Sequence, residues 1–162
     1  MLDANVLIDA NRDYYPIERV PEFWGWLEHH GMAGGIKVPV EIYEEVKEGT
    51  DELAAWMKQT EVVAALRLDE EVDVELVSRA VEVGYAADLT DDETLKLGRD
   101  PFLLAYALRD PGAHCIVTTE VSKPSKQRAN RHLPDVARNL GIASCTTFEL
   151  TRAMNFRTDW RQ

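Results

Sequence analysis

The chain has 162 residues, 45% of them hydrophobic, with 18 Lys and Arg against 29 Asp and Glu for a formal net charge of -11. That length suits one ordinary domain with enough apolar material for a core, and the acid excess argues against simple coating of nucleic acid, which needs a basic surface. The sequence shows no charged-then-apolar leader and no apolar run of bilayer length, so a cytoplasmic protein without membrane association is expected.

The opening MLDANVLI sets Asp3 and Asn5 among the strand or core formers Leu2, Val6, Leu7 and Ile8, an acid and an amide where an apolar strand should run out. Ligands collect at such strand ends in open α/β sheets. Capping of a helix that starts near Val6 is the alternative role for Asp3. Asn11 to Pro21 reads as a structured loop packed down by Tyr14 and Tyr15. From Glu22 a core-facing helix follows, with Phe23, Trp26 and Leu27 inward and Gly31 as its C-cap. The adjacent His29 and His30 point about 100° apart on that helix, so they are read as solvated.

A short strand over Ile36 to Val38 leads to a helix opened by Pro39. Pro39, Ile42, Tyr43 and Val46 make its apolar stripe; Glu45 borders the stripe, while Glu41, Glu44 and Glu48 point further away. If one glutamate here reaches a buried site it is Glu45; the alternative is that all four form a solvated face. DELAAWMK gives a helix with Leu53, Trp56 and Met57 inward, and Val62 to Leu68 reads as a strand or an apolar connector. VDVELVSRAVEV has Val74, Val77, Val81 and Leu76, Ala80, Val83 at helical spacing, ending at Gly84. Thr90 with Glu93 predicts a capping box on a short helix.

DPFLLAYAL is apolar nearly all round, which marks a buried helix with Asp100 as its cap and Pro101 in its first turn. HCIVTT is a short β-branched strand ending in Thr118, Thr119 and Glu120. Cys115 there and Cys145 in IASCT read as two buried thiols without metal-ligand spacing. Residues 121–132, VSKPSKQRANRH, read as a mobile basic loop with Lys123, Lys126, Arg128 and Arg131 and no acid; it is either a phosphate-contacting strip or a solvated loop that offsets the acidic surface. LPDVARNLG predicts a helix with Asp135 in its first turn, IASCTT a last strand and FELTRAM a last helix. Residues 1–154 thus form one domain, and the tail from Asn155 to Gln162 is expected to be loosely held, with Trp160 able to dock. Alternating strands and helices predict an α/β fold with a mainly parallel central sheet and helices on both faces.

Asp3, Glu45, Asp100 and Glu120 therefore stand at ends or edges of core elements. Such a set is what Mg²⁺ or Mn²⁺ prefers, and an ion held there activates water and neutralises a phosphodiester in its transition state.

The opening LDANVLI, the helix carrying Glu45, DPFLLAYAL with its leading Asp100, and IVTTE ending in Glu120 resemble the signature order of PIN domains. LDANVLID with the YYP loop, FWGWL, GTDELAAW and LPDVARNLGI are similar to a small bacterial PIN-like subfamily regarded as toxin-like. The resemblance spans nearly the whole chain and implies a single PIN-like domain, a metal-dependent ribonuclease in which Asp3, Glu45, Asp100 and Glu120 hold Mg²⁺ or Mn²⁺, with Asn5 and Thr118 in support. Two departures are visible: the last motif ends in Glu120 where Asp is usual, and only Met1 and Leu2 precede Asp3. Candidate partners are RNA, an antitoxin protein and a second copy of the chain. Two other functions fit parts of the sequence. One is a noncatalytic module that uses the basic loop to hold RNA or protein. The other is a phospho-aspartate phosphohydrolase, matched at Asp3 and at Lys123 or Lys126 but lacking an acid where Asn5 stands.

Overall fold

The computed structural model describes residues 1–161; Gln162, included in the expected loose tail, lies outside the described residues. The chain is mixed α/β, and every strand pairing in it is parallel. The strands are short: β1 (Val38–Pro39) pairs with β2 (Arg67–Leu68), and β3 (Cys115–Val117) pairs with β4 (Ala143–Cys145). Residues 1–3 join the two pairs. Leu2 N donates to Lys37 O at 2.9 Å on one side, while Asp3 N donates to Val117 O at 3.0 Å and Val117 N to Met1 O at 2.8 Å on the other. The single broad sheet expected from the sequence is therefore two small sheets stitched through the opening residues. Two- and three-residue strands leave too few ladder bonds to register as one, and helices fill the remaining volume.

The opening strand is itself shorter than expected. Helix α1 (Ala4–Asp9) begins directly after Asp3 and runs into a π-helical segment, Ala10–Tyr14. Helix α2 (Pro21–Met32) then buries Phe23, Trp24, Trp26 and Leu27. Gly31 lies inside α2 and not at its C-cap. A Cβ there would stand 2.7 Å from Ala65 O, so the glycine lets α2 lie against α5 (Thr60–Leu66). That helix occupies most of the stretch read as strand or connector. Helices α3 (Val40–Lys47) and α4 (Glu52–Met57) complete the first half, with Leu53, Trp56 and Met57 inward as expected.

In the second half, α6 (Val74–Arg79) continues into a second π-helical segment, Ala80–Tyr85. Val74 and Val83 are 72% and 53% exposed, contrary to the apolar stripe assigned to them: Val74 stands at the very start of α6, and Val83 lies in the π segment, whose wider turn rotates the face that a 3.6-residue repeat predicts. Gly84 does not end the element; a Cβ on it would meet Val136 Cγ1 at 2.7 Å. Helix α7 (Asp91–Lys96) carries the predicted Thr90–Glu93 capping box. Helix α8 (Asp100–Leu108) is buried from Leu103 to Leu108. Helices α9 (Leu133–Asn139) and α10 (Thr147–Ala153) follow in the predicted places.

The core is aromatic-rich, and its polar tips are satisfied as buried Tyr and Trp require. Trp24 Nε1 donates to Tyr15 O and Tyr43 Oη to Met57 O, both at 2.7 Å. The tail is held more firmly than expected: Phe156 packs on Phe23 and Trp26, and Trp160 Nε1 donates to Glu22 O at 2.9 Å. Cys115 and Cys145 are free thiols, only partly buried.

Candidate active site

The stitch made by residues 1–3 decides where the acids lie. The chain reaches β1 on one side of that segment and β3 on the other, so Asp3, at its carboxyl end, sits where the strand connections diverge. This is the crevice that open parallel sheets offer to ligands. Glu120 lies three residues past the end of the neighbouring β3, and Asp100 opens the buried helix α8.

Asp3 occupies the position before α1, yet its side chain forms no cap hydrogen bond. Instead Thr118 Oγ1 donates to Asp3 Oδ2 at 2.8 Å. The carboxylate is 4% exposed. Burial above all raises its pKa, and the charge of Glu120 adds to this; the Thr118 hydroxyl and the nearby amides of Asn5 and Ala4 work the other way. The same Thr118 oxygen accepts from Glu120 N at 3.2 Å, so one hydroxyl ties together two of the candidate acids.

Asp100 is likewise not the expected cap. The N-cap position is Arg99, and Asp100 is the first helical residue. Its partner is Tyr85 Oη, which donates to Asp100 Oδ2 at 3.2 Å. Burial, then the charges of Asp3 and Glu120, push the Asp100 carboxyl up to about 7; Tyr85 opposes the shift and Glu45 adds to it. Tyr85 is itself driven above its ordinary range by burial and by Asp100. Neither Asp3 nor Asp100 has a Lys or Arg within ion-pair distance among the described residues.

Glu120 is partly tied down. Its Oε2 accepts from Leu133 N, the first residue of α9, at 2.8 Å, and His132 Nδ1 lies 3.5 Å away without hydrogen-bond alignment. Glu45 is exposed, and its charge reaches Asp100 without contact. Asn5 is also exposed. A cavity of about 200 Å³ opens over Asp100 and Glu120, lined also by Tyr85, Lys96, Arg131 and His132.

The basic loop divides. Arg128 is consumed by Asp88 and Glu93, at 2.6 and 2.8 Å, with its backbone in the left-handed region at φ 53. Arg131 reaches the cavity, while Lys123 and Lys126 are exposed on the outside of the loop. Asp135 holds the loop to α9: Ser122 Oγ donates to its Oδ1 at 2.5 Å and Lys123 N to its Oδ2 at 2.6 Å. Tyr85 and Lys96 are site residues the sequence reading missed. No signal marked Lys96, and Tyr85 is turned inward by the π segment, which periodicity does not forecast.

The donors suit a hard divalent ion. Asp3, Asp100 and Glu120 present carboxylate oxygens only, the buried Asp3 and the half-buried Asp100 have no cationic partner among the described residues, and their mutual repulsion is what a bound cation relieves. The chain alone does not hold them at ligand spacing: among the described residues, no three His, Cys, Asp or Glu side chains converge at metal-holding distance. No described helix is long and apolar enough to cross a membrane.

A family model described as a domain of unknown function, DUF4411, matches residues 1–158. No curated protein and no solved structure matches the chain.

Proposed function

The chain belongs to the DUF4411 family, and we propose that it is a PIN-type endoribonuclease dependent on Mg²⁺ or Mn²⁺, acting as the toxin of a toxin–antitoxin pair in the cytoplasm. The observation that carries this reading is the state of Asp100. A carboxyl pushed up to about 7 by burial and by Asp3 and Glu120 is a charge conflict that folding tolerates at a cost, and perturbed acids in a cleft mark functional sites. The stitched strand order, with Asp3 at its centre, is compatible with a PIN-like sheet.

In this reading Asp3 and Asp100 would hold the ion. Glu120, held by Leu133 N, and Glu45, exposed on α3, would add negative charge to the ion's surroundings. Thr118 positions Asp3, Tyr85 positions Asp100, and Asn5 stands at the rim. When bound, the ion supplies a hydroxide at neutral pH and charge neutralisation at the phosphodiester. The protein's own part is to hold Asp3 and Asp100 where burial and mutual repulsion disfavour their charged forms, so that a cation is the partner that would relieve them.

The test is cleavage of labelled RNA with Mn²⁺ or with excess EDTA, by the wild type and by Asp3→Asn. Cleavage should need Mn²⁺, and Asp3→Asn should lose more than the roughly 10- to 100-fold that removal of an outer supporting contact costs. Equal cleavage in EDTA or by Asp3→Asn removes the carboxylates from the chemistry. Turnover of a phosphomonoester without RNA cleavage would favour the phosphohydrolase, and RNA binding without any turnover the noncatalytic module.

A further inference from the structure

We propose that Lys96 and Arg131 are the phosphate-binding groups of the acidic cavity, and that the ligand they grip is the backbone of single-stranded RNA; this rests on the nuclease reading of the carboxylates that share the cavity. The loop cations are the obvious choice for that role in the sequence, and the structure redistributes them. Arg128 gives its guanidinium to Asp88 and to both oxygens of Glu93, so its charge is neutralised within the fold. Lys123 and Lys126 are exposed and do not line the cavity.

Arg131 differs in the kind of partner it has. Its Nη1 donates to Gly84 O and its Nη2 to Asp135 O at 3.1 Å, so two neutral carbonyls fix the plane of the guanidinium. No carboxylate lies within ion-pair distance of it among the described residues. A guanidinium has five N–H donors, so several remain for a ligand, and the full positive charge remains with them. That charge reaches into the site, where it is felt by Tyr85, the residue that holds Asp100. Carbonyl anchors are what a phosphate site needs, since they orient the cation without neutralising it.

Lys96 ends α7 and lines the same cavity from the other element. It too has no acid partner among the described residues, although Asp91, Asp92 and Glu93 lie on its own short helix. The cavity is thus lined by two acids, Asp100 and Glu120, and by two cations that have no carboxylate partner among the described residues. A phosphodiester entering a protein of net charge -11 needs such a local reversal of sign, because screening confines attraction to about 8 Å at physiological salt. Arg128 has a supporting part: its ion pairs hold residues 128–132 in the loop path that points Arg131 inward.

The test is fluorescence anisotropy with a fluorescein-labelled phosphorothioate oligouridylate in Mn²⁺, over a range of salt concentrations. Lys96→Gln and Arg131→Gln should each weaken binding about tenfold and lower the salt slope by about one, as loss of one phosphate contact does. The double variant Lys123→Gln with Lys126→Gln should change affinity less than about twofold, since neither lysine lies at the cavity. Arg131→Gln removes two carbonyl contacts, so its melting curve is measured too; if it is unfolded, charge reversal at the exposed Lys96, as Lys96→Glu, decides. Wild-type affinity for Lys96→Glu, or a large loss only when Lys123 and Lys126 are replaced, overturns the proposal. Binding that depends on Lys96 and Arg131 but is followed by no cleavage of unmodified RNA upholds these phosphate-binding groups and removes the nuclease reading instead.

Discussion

The two ends of the short strands carry two very different cavities. At the amino ends lies the roomier one, about 500 Å³, lined by Lys37, Glu70, Tyr106, Arg109, Cys115 and Cys145 among others. Its charges are settled: Arg109 pairs with Glu70 at 2.5 Å, and Lys37 Nζ donates to Ala65 O at 2.6 Å. At the carboxyl ends the cavity is less than half that size, yet Asp100 there has no ion-pair partner among the described residues and is pushed up to about 7. Size records where helices fail to meet; unneutralised charge records where the fold gives up stability, and only the latter points to chemistry.

The sharpest way to break this contrast is to titrate stability. A buried acid whose folded pKa exceeds its unfolded value binds its proton more tightly when folded. Asp100 therefore contributes most below about pH 4, and that contribution is lost as pH rises through about 7. Asp100→Asn keeps an acceptor for Tyr85 but cannot ionise. In EDTA it should melt several degrees above wild type at pH 8, with the difference vanishing near pH 4, and it should lose most of the stabilisation Mn²⁺ gives by binding the folded state. A constant difference across that range would mean that Asp100 does not titrate within the fold.

Tyr85→Phe makes a smaller change at the same end. Losing a donor to the ionised carboxylate should move the Asp100 titration upward by about one pH unit, equivalent to about 1.4 kcal/mol. The pH at which the Asp100→Asn advantage reaches half its maximum, measured in the Tyr85→Phe background, reads this out. An unmoved midpoint would leave Tyr85 a packing residue only.

These experiments touch residues of unequal visibility in the sequence. Asp3, Asp100 and Glu120 could be found because each interrupts an apolar run at the end of an element, and the Thr90–Glu93 box because its spacing is itself the mechanism. Tyr85 could not, since a π turn changes which residues share a face. Arg128 and Arg131 look alike in a row of cations, and only the fold supplies Asp88 and Glu93 to one and two carbonyls to the other. Val62 to Leu68 misled for another reason: β-branched residues sit in a helix there because α2 buries them, and packing outweighs propensity.

The mildest prediction concerns the amino-end cavity. Glu70→Gln breaks a half-exposed ion pair, so it should cost no more than about 1 kcal/mol and leave Mn²⁺ binding and RNA cleavage unchanged. Calorimetry with and without Mn²⁺ checks both halves, and a loss of metal response would show that the two ends communicate.

The bonds of Leu2 to Lys37 and of Asp3 to Val117 have a consequence for synthesis. The Asp3 amide donates to a carbonyl, Val117 O, that lies 114 residues further along the chain, and Cys145, whose carbonyl receives Thr118 N, comes later still. Closing so distant a loop cannot begin until most of the chain has emerged. A nascent chain therefore carries these carboxylates scattered, and Asp3 is set beside Thr118 and Glu120 only once the segments around Val117 and Cys145 have both been made.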